Sequence, residues 1–169
     1  MNVSAVVRIA AFAAVATACG SQSATPPRPD EHAIRSALNA ELAKFGPAIA
    51  AKDAPAVANL FTEDATWILP DASSFTGRAN IEAGAKKFLE SFESLAPDQM
   101  AIDRLIVVSD SEAVTFSHGN YTLTERGKKP ARRVNPFADH WRKGADRVWR
   151  VTYEINADGP AETSAQPKP

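Results

Sequence analysis
The sequence predicts an α+β fold: N-terminal helices packed inside a strongly curved antiparallel sheet, together shaped as a cone. Three observations carry this. Up to about residue 92, apolar residues recur mainly at helical spacing of three and four. Beyond it the period becomes two, in segments rich in β-branched and aromatic side chains. Those segments are joined by turn-forming stretches, "SDS" at 109–111, "ERGKKP" at 125–130 and "KGAD" at 143–146, so the last four strands should form an antiparallel meander.

The elements follow in chain order. Residues 1–18 read as a signal peptide, because the apolar run "IAAFAAVATAC" after Arg8 is too short to span a membrane and has the length of a secretory core. It ends at Cys19, the single cysteine of the chain, which has no partner for an internal disulfide. The stretch "ATAC" resembles the bacterial lipoprotein signal. That resemblance implies that Cys19 is lipidated and that residues 19–29, with three prolines, form a tether. Gly20 rather than Asp after the cysteine then implies the periplasmic face of the outer membrane, with a soluble periplasmic protein as the alternative. The folded domain is expected over residues 30–156 and a disordered tail over 157–169.

Within the domain, Asp30 is placed to cap a helix bearing Ile34, Leu38, Leu42, Phe45 and Ile49, which Gly46-Pro47 should kink or interrupt. Asp53 caps a second, with Pro55 in its first turn and Val57, Leu60 and Phe61 facing inward. Ile81, Ala85, Phe88, Leu89 and Phe92 mark a third. Strands are expected at 65–69, 100–108, 113–124, 135–143 and 147–155, with a bulge at Gly119.

This order resembles the nuclear-transport-factor-2-like superfamily, in particular its SnoaL-like and ketosteroid-isomerase-like branches. The residues that carry the resemblance are "KDAPAVANLFTEDATWILP" (52–70), "FTGRANIEAGAKKFL" (75–89) and "HWRKGADRVWRVTYEIN" (140–156). It implies a cone with an apolar pocket at its mouth, and fold alone does not give function. In ketosteroid isomerases a general-base Asp precedes a Pro, and a Tyr with a protonated Asp forms the oxyanion hole, an example familiar from that enzyme. The matching positions here hold Leu69 and Phe45, and only Asp139 has the required group. Steroid isomerisation is therefore not expected.

Asp139 shares a strand face with Phe137 and Trp141, two residues away on either side. If that face is the inner one, burial raises the carboxyl pKa and makes Asp139 a donor or general acid, with His140 as an acid/base partner. The competing reading is a structural ion pair with Arg104 or Arg142. Phe45, Phe61, Trp67, Phe88, Tyr121, Phe137, Trp141 and Tyr153 are the candidate ligand-binding residues, although aromatic stripes are more often plain core. His32, His118 and His140 lack metal-ligand spacing, so no metal or cofactor is expected. The acid pair Glu63-Asp64 reads as capping or turn chemistry.

A net charge of −1 and basic residues confined to one hairpin loop, 126–133, give no nucleic-acid signature. The expected function is that of an exported, lipid-anchored protein binding a small hydrophobic molecule. The alternatives are an acid/base enzyme of the same fold (isomerase, cyclase or hydrolase-like) and a module that forms a homodimer through the outer face of its sheet.

Overall fold
Asp30 opens the first helix as its sequence suggests: its carboxylate accepts from the Ala33 amide at 3.0 Å and caps α1, Glu31–Leu42. The computed structural model describes residues 29–159. The leader, Cys19 and most of the tether lie outside them, as does the tail beyond residue 159. Helix α1 stops at the turn formed by Ala43 and Lys44, and α2 (Phe45–Ala50) resumes with Gly46-Pro47 in its first turn. Asp53 caps α3 (Ala54–Ala58) through the Ala56 amide at 2.9 Å.

Strand β1 (Phe61–Ile68) leads to β2 (Ser74–Thr76), a three-residue strand that the alternation pattern does not reveal. Gly77 then enters α4 (Arg78–Glu90) at φ +86°, a conformation open to glycine at little cost. The meander follows: β3 (Phe92–Ser109), β4 (Glu112–Glu125), β5 (Ala131–Lys143) and β6 (Trp149–Asn156). Sheet order is β2-β1-β6-β5-β4-β3, antiparallel throughout except that β1 runs parallel to β6.

Curvature comes from β3. Its pairing with β4 slips four times, at 92/94, 97/99, 102/104 and 107/109, and each slip puts one extra residue on β3. Such bulges bend a strand and increase its twist. Gly119 is not among them, because it pairs with Met100 and Asn135 in unbroken register. The predicted bend is thus real but lies on the neighbouring strand.

The helices fill the concave side. Leu38 and Leu42 of α1, Val57 of α3, and Ile81, Ala85 and Leu89 of α4 are buried against Phe61, Trp141 and Val151 of the sheet. Aromatic rings run through this core: Phe45 packs edge-on against Phe61 at 5.8 Å, and Trp67 contacts Phe61, Phe75 and Phe88 at 5.9–6.2 Å. Gly84 of α4 faces the Phe75 ring so closely that a Cβ would lie 2.7 Å from it.

The acid pair at 63–64 is explained by ion pairs, not by turn bonding. Glu63 meets Arg78 at 2.5 Å and Asp64 meets Arg142 at 2.7 Å, tying β1 to α4 and to β5. The first residues of the expected tail are ordered by main-chain bonds, with Ala157 donating to Pro136 O at 2.9 Å and Gly159 to Val134 O at 3.1 Å. Those bonds prolong the β5 edge of the sheet without needing core side chains.

Candidate functional site
Between α2, α4 and the concave sheet the aromatic core closes incompletely, leaving a cavity of about 220 Å³. A dry cavity of roughly 150 Å³ accommodates benzene, so this one is sized for a substituted ring or a branched chain of similar bulk. Phe45, Trp67, Phe88, Tyr121 and Phe137 form much of its wall, all expected from the sequence. Leu69, Met100 and Leu123 complete the apolar lining, and the exposed Pro70 and Asp158 mark its outer end. Phe45 and Leu69, which stand where the isomerase resemblance places a hydroxyl and a base, are therefore both wall.

The other three expected ligand residues lie elsewhere. Phe61 and Trp141 are fully buried in the core and do not line the cavity, while Tyr153 is 41% exposed on the outer face of the sheet. His140 is turned to that outer face as well, because consecutive strand residues alternate. There it bonds the Thr152 hydroxyl, so it cannot assist Asp139. Neither does His118 join it: His118 pairs with Asp103 at 2.8 Å and lies opposite Pro136 in the register.

Asp139 faces inward with Phe137 and Trp141, at 2% exposure. The ion-pair reading fails: Arg142 pairs with Asp64, and Asp139 is buried beside Thr115 and Glu154 instead of an arginine. Asp139 does not itself line the cavity. Its Oδ2 accepts from the Thr115 hydroxyl at 3.3 Å, and Trp141 Nε1 donates to that same hydroxyl at 2.9 Å. Its Oδ1 has no donor. What faces it is Glu154, its register partner on β6.

Glu154 is the buried carboxyl that reaches the cavity, and sequence reasoning missed it. Trp67 Nε1 donates to its Oε1 at 2.9 Å and Asn156 Nδ2 at 2.6 Å. Asn156 also donates to Ile68 O at 3.1 Å and accepts from Asn135 Nδ2 at 2.8 Å, which locks the amides in place. Two carboxyls with so little water cannot both ionise cheaply. Burial, then repulsion from Glu154, holds the Asp139 pKa well above the usual carboxylate range. Burial also pushes Glu154 up to about 7, against the pull of hydrogen bonds from Asn156, Trp67 and Asp139. A protonated Asp139 accounts for the orphan Oδ1, which becomes the donor to Glu154. Of the two carboxyls, Glu154 is the member poised to gain or lose a proton near neutrality.

The reason for the miss is one inserted residue. Val151 lies opposite Trp141 and Tyr153 opposite His140, so Thr152 is an extra residue that reverses the inward parity of β6. Strict alternation from Trp149 and Val151 would turn Tyr153 inward and Glu154 out. The signal available in the sequence was the acid itself, set between Tyr153 and Ile155 in a strand otherwise fit for burial.

The model of the SnoaL-like domain matches residues 42–151. No curated protein gives a match. Among solved structures, a ketosteroid isomerase-like protein from Erwinia carotovora atroseptica is 18% identical, with a TM-score of 0.65 over 75% of this chain and 97% of that one. A proposed scytalone dehydratase from Novosphingobium aromaticivorans is 13% identical, with a TM-score of 0.68 over 80% and 91%. A hexachlorocyclohexane dehydrochlorinase (LinA) Type2 is 13% identical, with a TM-score of 0.67 over 82% and 95%. At these identities the likeness is one of fold.

Proposed function
The chain belongs to the SnoaL-like domain family, and on that premise we propose that it binds a small, largely apolar molecule in the cavity between its helices and its sheet. The observation that carries this reading is the cavity of about 220 Å³, walled by five aromatic side chains and lined on one side by the hydrogen-bonded Glu154 carboxyl. An apolar pocket with a few convergent polar groups is the usual form of a small-molecule site. Toluene tests it on the full chain. Saturating toluene should shift the indole N–H resonance of Trp67 and raise the melting temperature, as a ligand selective for the folded state must. No response in either, with benzylamine and benzoate equally without effect, would refute the reading.

The same proposal places the protein outside the cytoplasm, lipid-anchored at Cys19, on the strength of the leader-like run before it. Intact mass of membrane-extracted wild type and Cys19→Ser tests this: a diacylglyceryl-type difference is expected, and equal modification states would refute it.

A second reading, an acid/base enzyme, is favoured by the titration of Glu154 near neutrality. Glu154 would then exchange the proton and Asp139 would position it, since Asp139 sits one layer behind the wall. Exchange of the α-hydrogens of acetophenone for solvent deuterium, catalysed by wild type and lost in Glu154→Gln, is the expected result. Equal rates would remove it. Self-association is a separate proposal. Ile106, Val108, Phe116, Tyr153 and Ile155, 40–57% exposed, lie on the outer side of the sheet and supply a face for a second copy.

A further inference from the structure
The polar inventory of the cavity is one-sided. Most of its side-chain donors are already committed: Trp67 Nε1 and one Asn156 N–H to Glu154, the other Asn156 N–H to Ile68 O, and one of the two Asn135 N–H groups to Asn156. What remains is mainly acceptors. A carboxylate offers about four acceptor positions, and Trp67, Asn156 and Asp139 occupy three of those on Glu154. The Asn135 carbonyl oxygen accepts from nothing among the described side chains, and the Asp158 carboxylate stands at the exposed end. Only the Tyr121 hydroxyl can serve in either sense.

The charge is one-sided too. Among the described residues two acids line the cavity, and no Lys, Arg or His does. On the adjoining strand Arg133, the register partner of Tyr121, acts on the Tyr121 hydroxyl from outside the lining, and its guanidinium pairs with Glu125 at 3.7 Å. A fatty acid or phosphate would enter such a cavity with no counter-charge and little to donate to it. A neutral hydrocarbon would fill the walls and leave the acceptors unmet. A protonated amine supplies both the donors and the charge, and its body finds aromatic faces in Trp67, Phe88 and Phe137, which favour a nearby cation.

We infer that the ligand is a small apolar amine, seated with its ammonium group on Glu154 and its aromatic or branched aliphatic body against the ring-lined wall. The inference rests on the proposed ligand-binding reading and specifies the ligand's chemistry. The groups packed on Glu154 are Asp139 from β5, Trp67 from β1 and Asn156 from its own strand, and of these only Asp139 titrates. Asp139 keeps its proton, so binding a cation at Glu154 must expel the proton that Glu154 carries below neutrality. Affinity for the amine therefore falls about tenfold per pH unit below about 7, whereas a neutral ligand shows no such dependence.

The experiment follows the Trp67 indole resonance of the full chain titrated with benzylamine, toluene and benzoate, in wild type and Glu154→Gln. Wild type at pH 7.5 should prefer benzylamine over toluene by about tenfold or more, with benzoate weakest, and benzylamine should weaken about a hundredfold by pH 5. Glu154→Gln should erase the amine preference. Equal wild-type affinities for benzylamine and toluene, a preference for benzoate, or an amine affinity independent of pH would each overturn the inference while leaving the cavity reading intact. The pH arm needs no variant, so a Glu154→Gln chain that fails to fold does not shelter the proposal. Failure of all three probes to bind would overturn the cavity reading together with it.

Discussion
Replacing Glu154 with Gln should flatten the dependence of stability on pH between 5 and 8. A glutamate in the unfolded chain ionises near 4.5, whereas burial holds folded Glu154 at about 7. Between those values the folded state keeps a proton that the unfolded state has released. Unfolding therefore releases a proton, and stability falls as pH rises. The contribution is fully present below about 4.5 and gone above about 7. The gap, 7 − 4.5 = 2.5 units, corresponds to about 3 kcal/mol. Asp139, shifted the same way, acts in the same direction. Asp64, Asp71, Glu125 and Asp146, held below their ordinary values by hydrogen bonds, act in the opposite sense, and their stabilisation is lost only on acidification below this window. Gln preserves the shape and one acceptor for Trp67 while removing the titration. Urea unfolding of both proteins at pH 5 and pH 8 gives the difference directly. Wild type should lose about 3 kcal/mol more than the variant across this interval, and equal losses would refute a buried, proton-sharing Glu154.

The remaining predictions concern the scaffold. Thr115→Val should cost about 1–3 kcal/mol by urea midpoint, with unchanged denaturant slope, because the buried Trp141 indole loses its acceptor and Asp139 its donor. Gly84→Ala should cost about 1–3 kcal/mol through overpacking against Phe75, and Gly84→Ala with Phe75→Leu should recover part of it in the same assay. Phe116→Lys on the outer face should leave unfolding free energy within about 0.5 kcal/mol while abolishing self-association in sedimentation at high concentration. A wild type that sediments as a monomer at every concentration would end the dimer proposal.

Local chemistry made much of this legible. Asp30 and Asp53 cap helices because their side chains answer orphan amides three residues on, a rule contained in a few consecutive residues. Period two set Asp139 on one face with Phe137 and Trp141 and left open which face that was; the structure turns it inward, and β5 pairs with β4 in unbroken register through that stretch. Parity failed where the register slips. One residue, Thr152, exchanged the places of Tyr153 and Glu154 and with them the identity of the polar cavity residue. The extent of β3 was hidden similarly, since its extra residues at 93, 98, 103 and 108 break the alternation, and Pro97 argues locally against a strand. Which aromatics line a cavity and which fill the core was beyond the pattern: Trp67 and Trp141 are equally plausible by spacing, and only packing of α2 and α4 against the sheet separates them.

The parallel pairing of β1 with β6 has a consequence for synthesis. Trp67 and Glu154, bonded to each other, are separated by 87 residues, and every intervening strand belongs to the sheet that must curl to bring them together. A ribosome-bound chain halted before residue 149 would hold the helices and five strands yet present β1 with an open edge and an indole lacking its acceptor. Closure is therefore a late, long-range event, of the kind that slows folding. The cavity acquires its chemical character in one step, when the last strand docks.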